Sequence, residues 1–210
     1  MVAKRIVPVL REAGYRGTAG TYTLTAPGGD VAIVNLQKSR WNSADEVAFT
    51  VNLAIVPVPW FDWQQKEHGL ASKARLREYH GLWRDRLRPS PTLSEDRDFW
   101  VVRDETTADA CAADVTAKLR QDGLPRLSSL LDRPALIEAV RAGDFGFIKM
   151  SPTLPLAVIL SDHGPSPELE DAVRSLQADQ RWLEASRNEA VGWIRDRSQL
   201  RRRQDKQDLS

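Results

Sequence analysis

Residues 35–41 place Asn35, Gln37, Lys38, Ser39, Arg40 and Trp41 on one short stretch. Amides and hydroxyls offer uncharged donors and acceptors, which suit a peptide backbone or a polar ligand. Lys38 and Arg40 can hold an anion, and the Trp41 indole can stack on a base. Arg84, Arg86 and Arg88 alternate further along, so on an extended chain they share one side as a basic stripe. If their strand neighbours the one carrying Gln37, the stripe joins the patch. If not, these arginines pair with carboxylates such as Asp85 or Glu95.

Other chemistries find less support. His68, His80 and His163 have no ligand spacing with another His or Cys, so no metal site is expected. The single cysteine, Cys111, excludes an internal disulfide and sits among Ala110, Ala112 and Val115 as a small buried hydrophobe would. Gly28-Gly29 is too short for a phosphate loop, no dinucleotide, Walker-type or nucleophile-elbow motif appears, and no cofactor is expected. The run from Asp30 to Lys38 has the outline of a metal-dependent nuclease strand, but Gln37 stands where an acidic ligand is required. The carboxylate pairs Asp45–Glu46 and Asp96–Asp98 fall in loops, with no sign of a pocket to tune them as acid and base. Trp60, Trp63, Trp83, Trp100, Trp182 and Trp193 can line a cleft, and packing accounts for them equally well.

The elements that must position the patch come from alternation and turn chemistry. Residues 21–25 alternate threonines with Tyr22 and Leu24, Pro27-Gly28-Gly29-Asp30 is a turn, and residues 31–39 and 46–56 read as further strands. Short links make these three an antiparallel meander. Residues 80–88 and 99–103 read as a fourth and a fifth strand. A short helix over residues 2–13 is weakened by Pro8, and residues 64–77 read as mostly helical despite Gly69. The second half is helical: one helix capped by Thr106 and stopping near Gly123, one capped by Asp132 and ended by Gly143, and one begun by Ser166-Pro167 that carries Leu169, Val173, Leu176 and Leu183. A restart is expected near Ser186, and the tail from Arg201 is expected to fray. The class is α+β: a meander of about 4–5 strands packed with helices, and a helical C-terminal third. Its expected organisation is an α+β domain over residues 1–130, a helical extension over 131–204 and a frayed tail over 205–210.

Parity sorts the faces. Val47, Phe49, Val51, Leu53 and Ile55 share one side of the third strand and must face the core. Thr50 and Asn52 fall on the other side, beside Asn35, Gln37 and Ser39, with Thr21, Thr23 and Thr25 extending the same polar lane. That lane is either a solvated sheet face or a binding surface.

The totals bound the partners. A chain of 210 residues, 41% hydrophobic and 28% charged, suits a globular fold. Lys+Arg 30 against Asp+Glu 29 leaves a formal net charge of +1, so no global field favours nucleic acid or an anionic membrane. The longest apolar run, residues 51–59, is too short for a bilayer, and the first ten residues lack the pattern of a signal peptide, so the expected location is the cytoplasm.

The stretch VNLQKSRWNSADEVAFTVNLAI, then EYHGLWRDRL, then DRDFWVV, resembles a family of uncharacterised bacterial proteins, the domain of unknown function 4304. The matching positions are Gln37, Lys38 and Ser39, then Phe49, Thr50, Asn52 and Leu53, then Trp83, Arg84 and Arg86, and finally Trp100. The resemblance covers about the first 130 residues, supports the α+β reading, singles out the polar lane and implies no chemistry. Three functions follow from the residues: a non-catalytic, adaptor- or immunity-like protein-interaction module; a hydrolase-type enzyme with a basic site around Lys38, Arg84 and Arg86; and nucleic-acid binding through Lys38, Arg40, Trp41 and the terminal arginines. A protein partner is the expected one.

Overall fold

Alternation along residues 21–56 resolves into β2 (Thr21–Thr25), β3 (Val31–Lys38) and β4 (Val47–Val56), each antiparallel to the next. The computed structural model describes residues 2–40, 42–43, 45–69, 75–94 and 98–208. The register sets Thr21 opposite Asn35 and Asn35 opposite Asn52. β1 (Arg16–Thr18) forms a tight hairpin with β2 through Ala19 and Gly20, both at positive φ (52° and 84°). Paired positive φ values match the right-handed twist of the strands, which glycine adopts freely and alanine does not. β5 (Trp83–Leu87) and β6 (Trp100–Val102) share the far edge of β4, opposite residues 51–55 and 47–49 respectively. The sheet is therefore open and six-stranded.

Of the five residues that parity turns inward, Phe49, Val51, Leu53 and Ile55 join the main core, while Val47 at the start of β4 is only half-buried and lies outside it. Exposing each would cost about 1.5–3 kcal/mol, so a one-residue slip is ruled out energetically. Ala32, Val34, Trp83 and Trp100 join them. Over this face lie α1 (Val2–Glu12), α3 (Glu105–Lys118) and α4 (Leu124–Leu131); α4 crosses β3 and β4. The helical third continues as α5 (Arg133–Arg141), α6 (Thr153–Leu160), α7 (Pro167–Ala178) and α8 (Glu184–Asp208), with α2 (Val58–His68) packed on α6. The main core runs unbroken from Ile6 to Ile194.

A chain of ion pairs straps the helices to the sheet. Arg133 donates from Nε to Asp30 Oδ2 at 2.8 Å and also reaches Asp162, which pairs in turn with Arg197 and Arg201. Burial pushes the Asp162 carboxyl up, but the Arg201 hydrogen bond and the charges of Arg197, Arg201 and Arg133 outweigh it and hold the group below the ordinary aspartate range.

Several expectations need correction. Trp60, Phe61 and Trp63 lie inside α2, which starts at Val58 and ends at Gly69 in the left-handed region, while residues 75–77 are not helical. The cap of α3 is Asp104, whose carboxylate accepts from the Thr107 N–H, not Thr106. Gly123 does not stop the helix: residues Leu119–Gly123 form a π-helical turn that leads into α4. Asp132 and Ser166 cap α5 and α7 as expected, but Leu183 is exposed and lies outside α7. α8 begins at Glu184 and continues to Asp208 through the stretch expected to fray. Arg201 there is held by Asp162.

Candidate functional site

The lane of polar residues is sealed along its middle and open at its ends, where Gln37 and Thr25 are exposed. Thr21, Asn35, Thr50 and Asn52 are buried, with Asn35 only 8% and Asn52 only 5% exposed. Their side chains form a ladder across four strands. Asn35 Nδ2 donates to Thr21 Oγ1 at 3.0 Å, Asn52 Nδ2 donates to Asn35 Oδ1 at 3.3 Å and to Gln37 Oε1 at 2.9 Å, and Arg86 Nε donates to Asn52 Oδ1 at 2.9 Å. Asn52 thus spends both its amide hydrogens and its carbonyl oxygen inside the ladder. A buried amide left unpaired costs about 1–3 kcal/mol, so the rungs satisfy each other. Asn35 and Asn52, expected to offer open donors and acceptors beside Gln37, instead position other side chains.

What the ladder presents is the end of the sheet. Arg86, fixed by Asn52, also donates from Nη1 to Asp98 Oδ2 at 3.0 Å. Gln37, Lys38, Ser39, Arg40, Thr50, Arg86 and Phe99 line a concavity of about 420 Å³. Lys38 has no carboxylate partner among the described residues, and the described lining holds no histidine and no carboxylate. The loop back to β4 is closed locally: Asn42 Oδ1 accepts from the Ala48 N–H at 2.8 Å, and Ser43 Oγ from the Glu46 N–H at 3.1 Å. Trp41 lies outside the described residues, as do Glu95 and Asp96.

A second hollow, of about 750 Å³, adjoins the first and shares Gln37 and Lys38. One wall is apolar, with Ala3, Leu36, Val47, Phe49 and Val102; the other carries Thr21, Asn35 and Arg77. Ala19 and Gly20 form part of its rim. A Cβ on Gly20 would come within 2.6 Å of the Leu36 carbonyl oxygen, so this hairpin approaches β3 as closely as a glycine allows.

Arg84 does not reach the concavity. It stacks on Phe147, its Cζ 5.3 Å from the ring centroid, beside the bridge between Arg84 and Gly146. β5 neighbours β4 rather than β3, so of the basic stripe only Arg86 joins the patch, and its carboxylate partner is Asp98 rather than Asp85. Beyond Arg84 the same face turns apolar: Val31, Ile33, Ala54 and Val56 are covered by Phe61 and Leu76. His80 packs there on Phe61, and its Nδ1 accepts from the Arg77 N–H at 3.0 Å. Burial lowers the His80 pKa; the Glu78 carboxylate opposes the shift and the Arg77 charge adds to it.

Sequence reasoning sets Asp98 aside in a loop pair, reads Phe99 as the start of a strand and Arg77 as the end of a helix, and assigns none of them to the site, which they reach from irregular segments. The tryptophans serve packing: Trp100 is fully buried and donates from Nε1 to Asp114 at 2.8 Å, and Trp83 Nε1 donates to Asp144 at 3.2 Å. Among the described residues no three His, Cys, Asp or Glu side chains converge on a metal position, and no helix is long and apolar enough to cross a membrane.

The model of the family described as Domain of unknown function (DUF4304) matches residues 6–129, more than half of the chain. No curated protein and no solved structure matches it.

Proposed function

Since the chain belongs to the DUF4304 family, whose description names no activity, we propose on geometric grounds a non-catalytic protein-interaction module, acting in the cytoplasm. It binds at the end of β3 through Gln37, Lys38, Ser39, Arg40, Thr50 and Arg86. The observation that carries this reading is the concavity itself, where an internally satisfied ladder fixes Arg86 beside Lys38 and Arg40. A cation held in place by a hydrogen bond to a buried amide suits recognition, because little side-chain entropy is lost on binding. Turnover by a hydrolase would call for a base in the same hollow, and its described lining offers amide, hydroxyl, cationic and aromatic groups. Nucleic-acid binding gains less support, since Arg201 is committed to Asp162 and the net charge is +1.

The test is cross-linking in cells from a photo-reactive residue at Arg40, with Leu183, exposed and outside the site, as the control position. One discrete protein captured from position 40 only, and lost on Lys38→Glu, is the expected result. Capture of nucleic acid, or the same proteins from both positions, overturns the reading.

A further inference from the structure

The open edge of β3 has two faces of opposite chemistry. Pairing between β2 and β3 ends at Asn35, with one more hydrogen bond from the Leu36 N–H to the Gly20 carbonyl at 2.7 Å. There the β1–β2 hairpin turns away through Ala19, a non-glycine residue held at φ 52°. In this register the odd residues of β3 bond to β4, as the Ser39 N–H to the Ala48 carbonyl at 2.8 Å shows. The even residues therefore point their main-chain groups at the opposite edge. Lys38 presents its N–H and carbonyl along that edge, and among the described residues no strand pairs with it there.

On one side of this edge lie Leu36, Val47, Phe49 and Val102, the side to which β3 parity also turns Lys38; on the other lie Thr21, Asn35, Gln37 and Arg77. We infer that the site takes an extended acidic–apolar segment of a partner protein, docked along the free edge of β3 beyond Leu36. This rests on the interaction reading above. A strand sends alternate side chains to opposite sides. One set meets the apolar wall, and the other brings carboxylates to Arg77, with the Lys38 ammonium at the end of the edge adding a second positive charge. Main-chain pairing with Lys38 supplies the shared direction and register.

The probe is a fluorescent synthetic peptide of alternating glutamate and valine, titrated against the full chain by anisotropy. Three comparison peptides accompany it: alternating lysine and valine, alternating glutamate and serine, and the same glutamates and valines arranged in two blocks. Tight binding is expected for the glutamate–valine alternation alone. It should fall about tenfold or more on Lys38→Glu and weaken as salt rises. The Lys38 amide should gain hydrogen-exchange protection when the peptide is bound. Val47→Lys should reduce binding by a similar factor without altering the unfolding transition. Equal binding of the block isomer, or binding without protection at Lys38, overturns docking on the edge. Preference for the lysine peptide, or displacement by a single-stranded oligonucleotide, overturns the acidic partner. If cross-linking still captures a discrete protein when the peptide does not bind, the interaction reading stands and this inference alone fails.

Discussion

Asn52 decides how the site is built. It takes a hydrogen bond from Arg86 and gives two, to Asn35 and Gln37, from a position sealed from water. Asn52→Ala leaves three polar partners short, so it should lower stability by about 1–3 kcal/mol and loosen Arg86. Thr25→Ala, at the exposed end of β2, should cost less than about 0.5 kcal/mol. Urea unfolding of the two variants makes the comparison. Much of the patch was legible at this scale, because period-2 alternation puts Asn35 with Gln37, Thr50 with Asn52, and Arg84 with Arg86, each pair on one face of its own strand. What alternation cannot say is whether amides that share a face turn outward or bond to one another. That depends on cross-strand register, which sets Asn35, Asn52 and Arg86 in one row. Phe99 and Asp98 escaped for a different reason, since a loop carries no period to betray its direction.

Among the elements, the legible ones are amphipathic and capped. Asp132 and Ser166 announce α5 and α7, and the β2–β4 meander follows from its turns. α6, by contrast, is buried nearly all round, with Leu154, Val158, Ile159 and Leu160 sealed among α2, α5, α7 and α8. An all-apolar segment has no polar face to set a 3.6-residue period, so it leaves no helical signature. β1 is three residues of Arg, Gly and Thr, all exposed, with no alternation to read. Gly123 reads as a stop in the sequence, yet its φ of −66° is helical. A Cβ there would meet Leu53, Leu119 and Leu87 at ordinary contact distances of 3.4 to 3.5 Å. Gly123→Ala should therefore stabilise the α3–α4 rod by about 0.5–1 kcal/mol, seen as a higher thermal midpoint. A lower midpoint would mean that the π-helical turn needs the flexibility of glycine.

For the whole molecule, stability should track acidity in two stages. Burial depresses the His80 pKa, so the unfolded chain binds a proton near pH 6.5 that the folded chain resists. Stability is then complete above that value and begins to fall as the pH drops through it. His80→Asn, whose side-chain oxygen can still accept from the Arg77 N–H, should flatten this first decline. A steeper loss should follow below about pH 4, where Asp162 and Asp179, held low by arginine partners, give up their advantage over the unfolded chain. Urea midpoints for wild type and His80→Asn between pH 7 and pH 3 test both stages. The strap from Asp30 through Arg133 to Asp162 carries a further consequence. A chain cropped at residue 129 would lose Arg133, the partner of Asp30, and with α5–α8 the apolar residues from Leu130 to Ile194 that complete the main core. Small domains hold only about 5–15 kcal/mol in reserve. The stretch that defines the family in this protein is thus expected to lean on its helical neighbour rather than stand as a self-sufficient fragment.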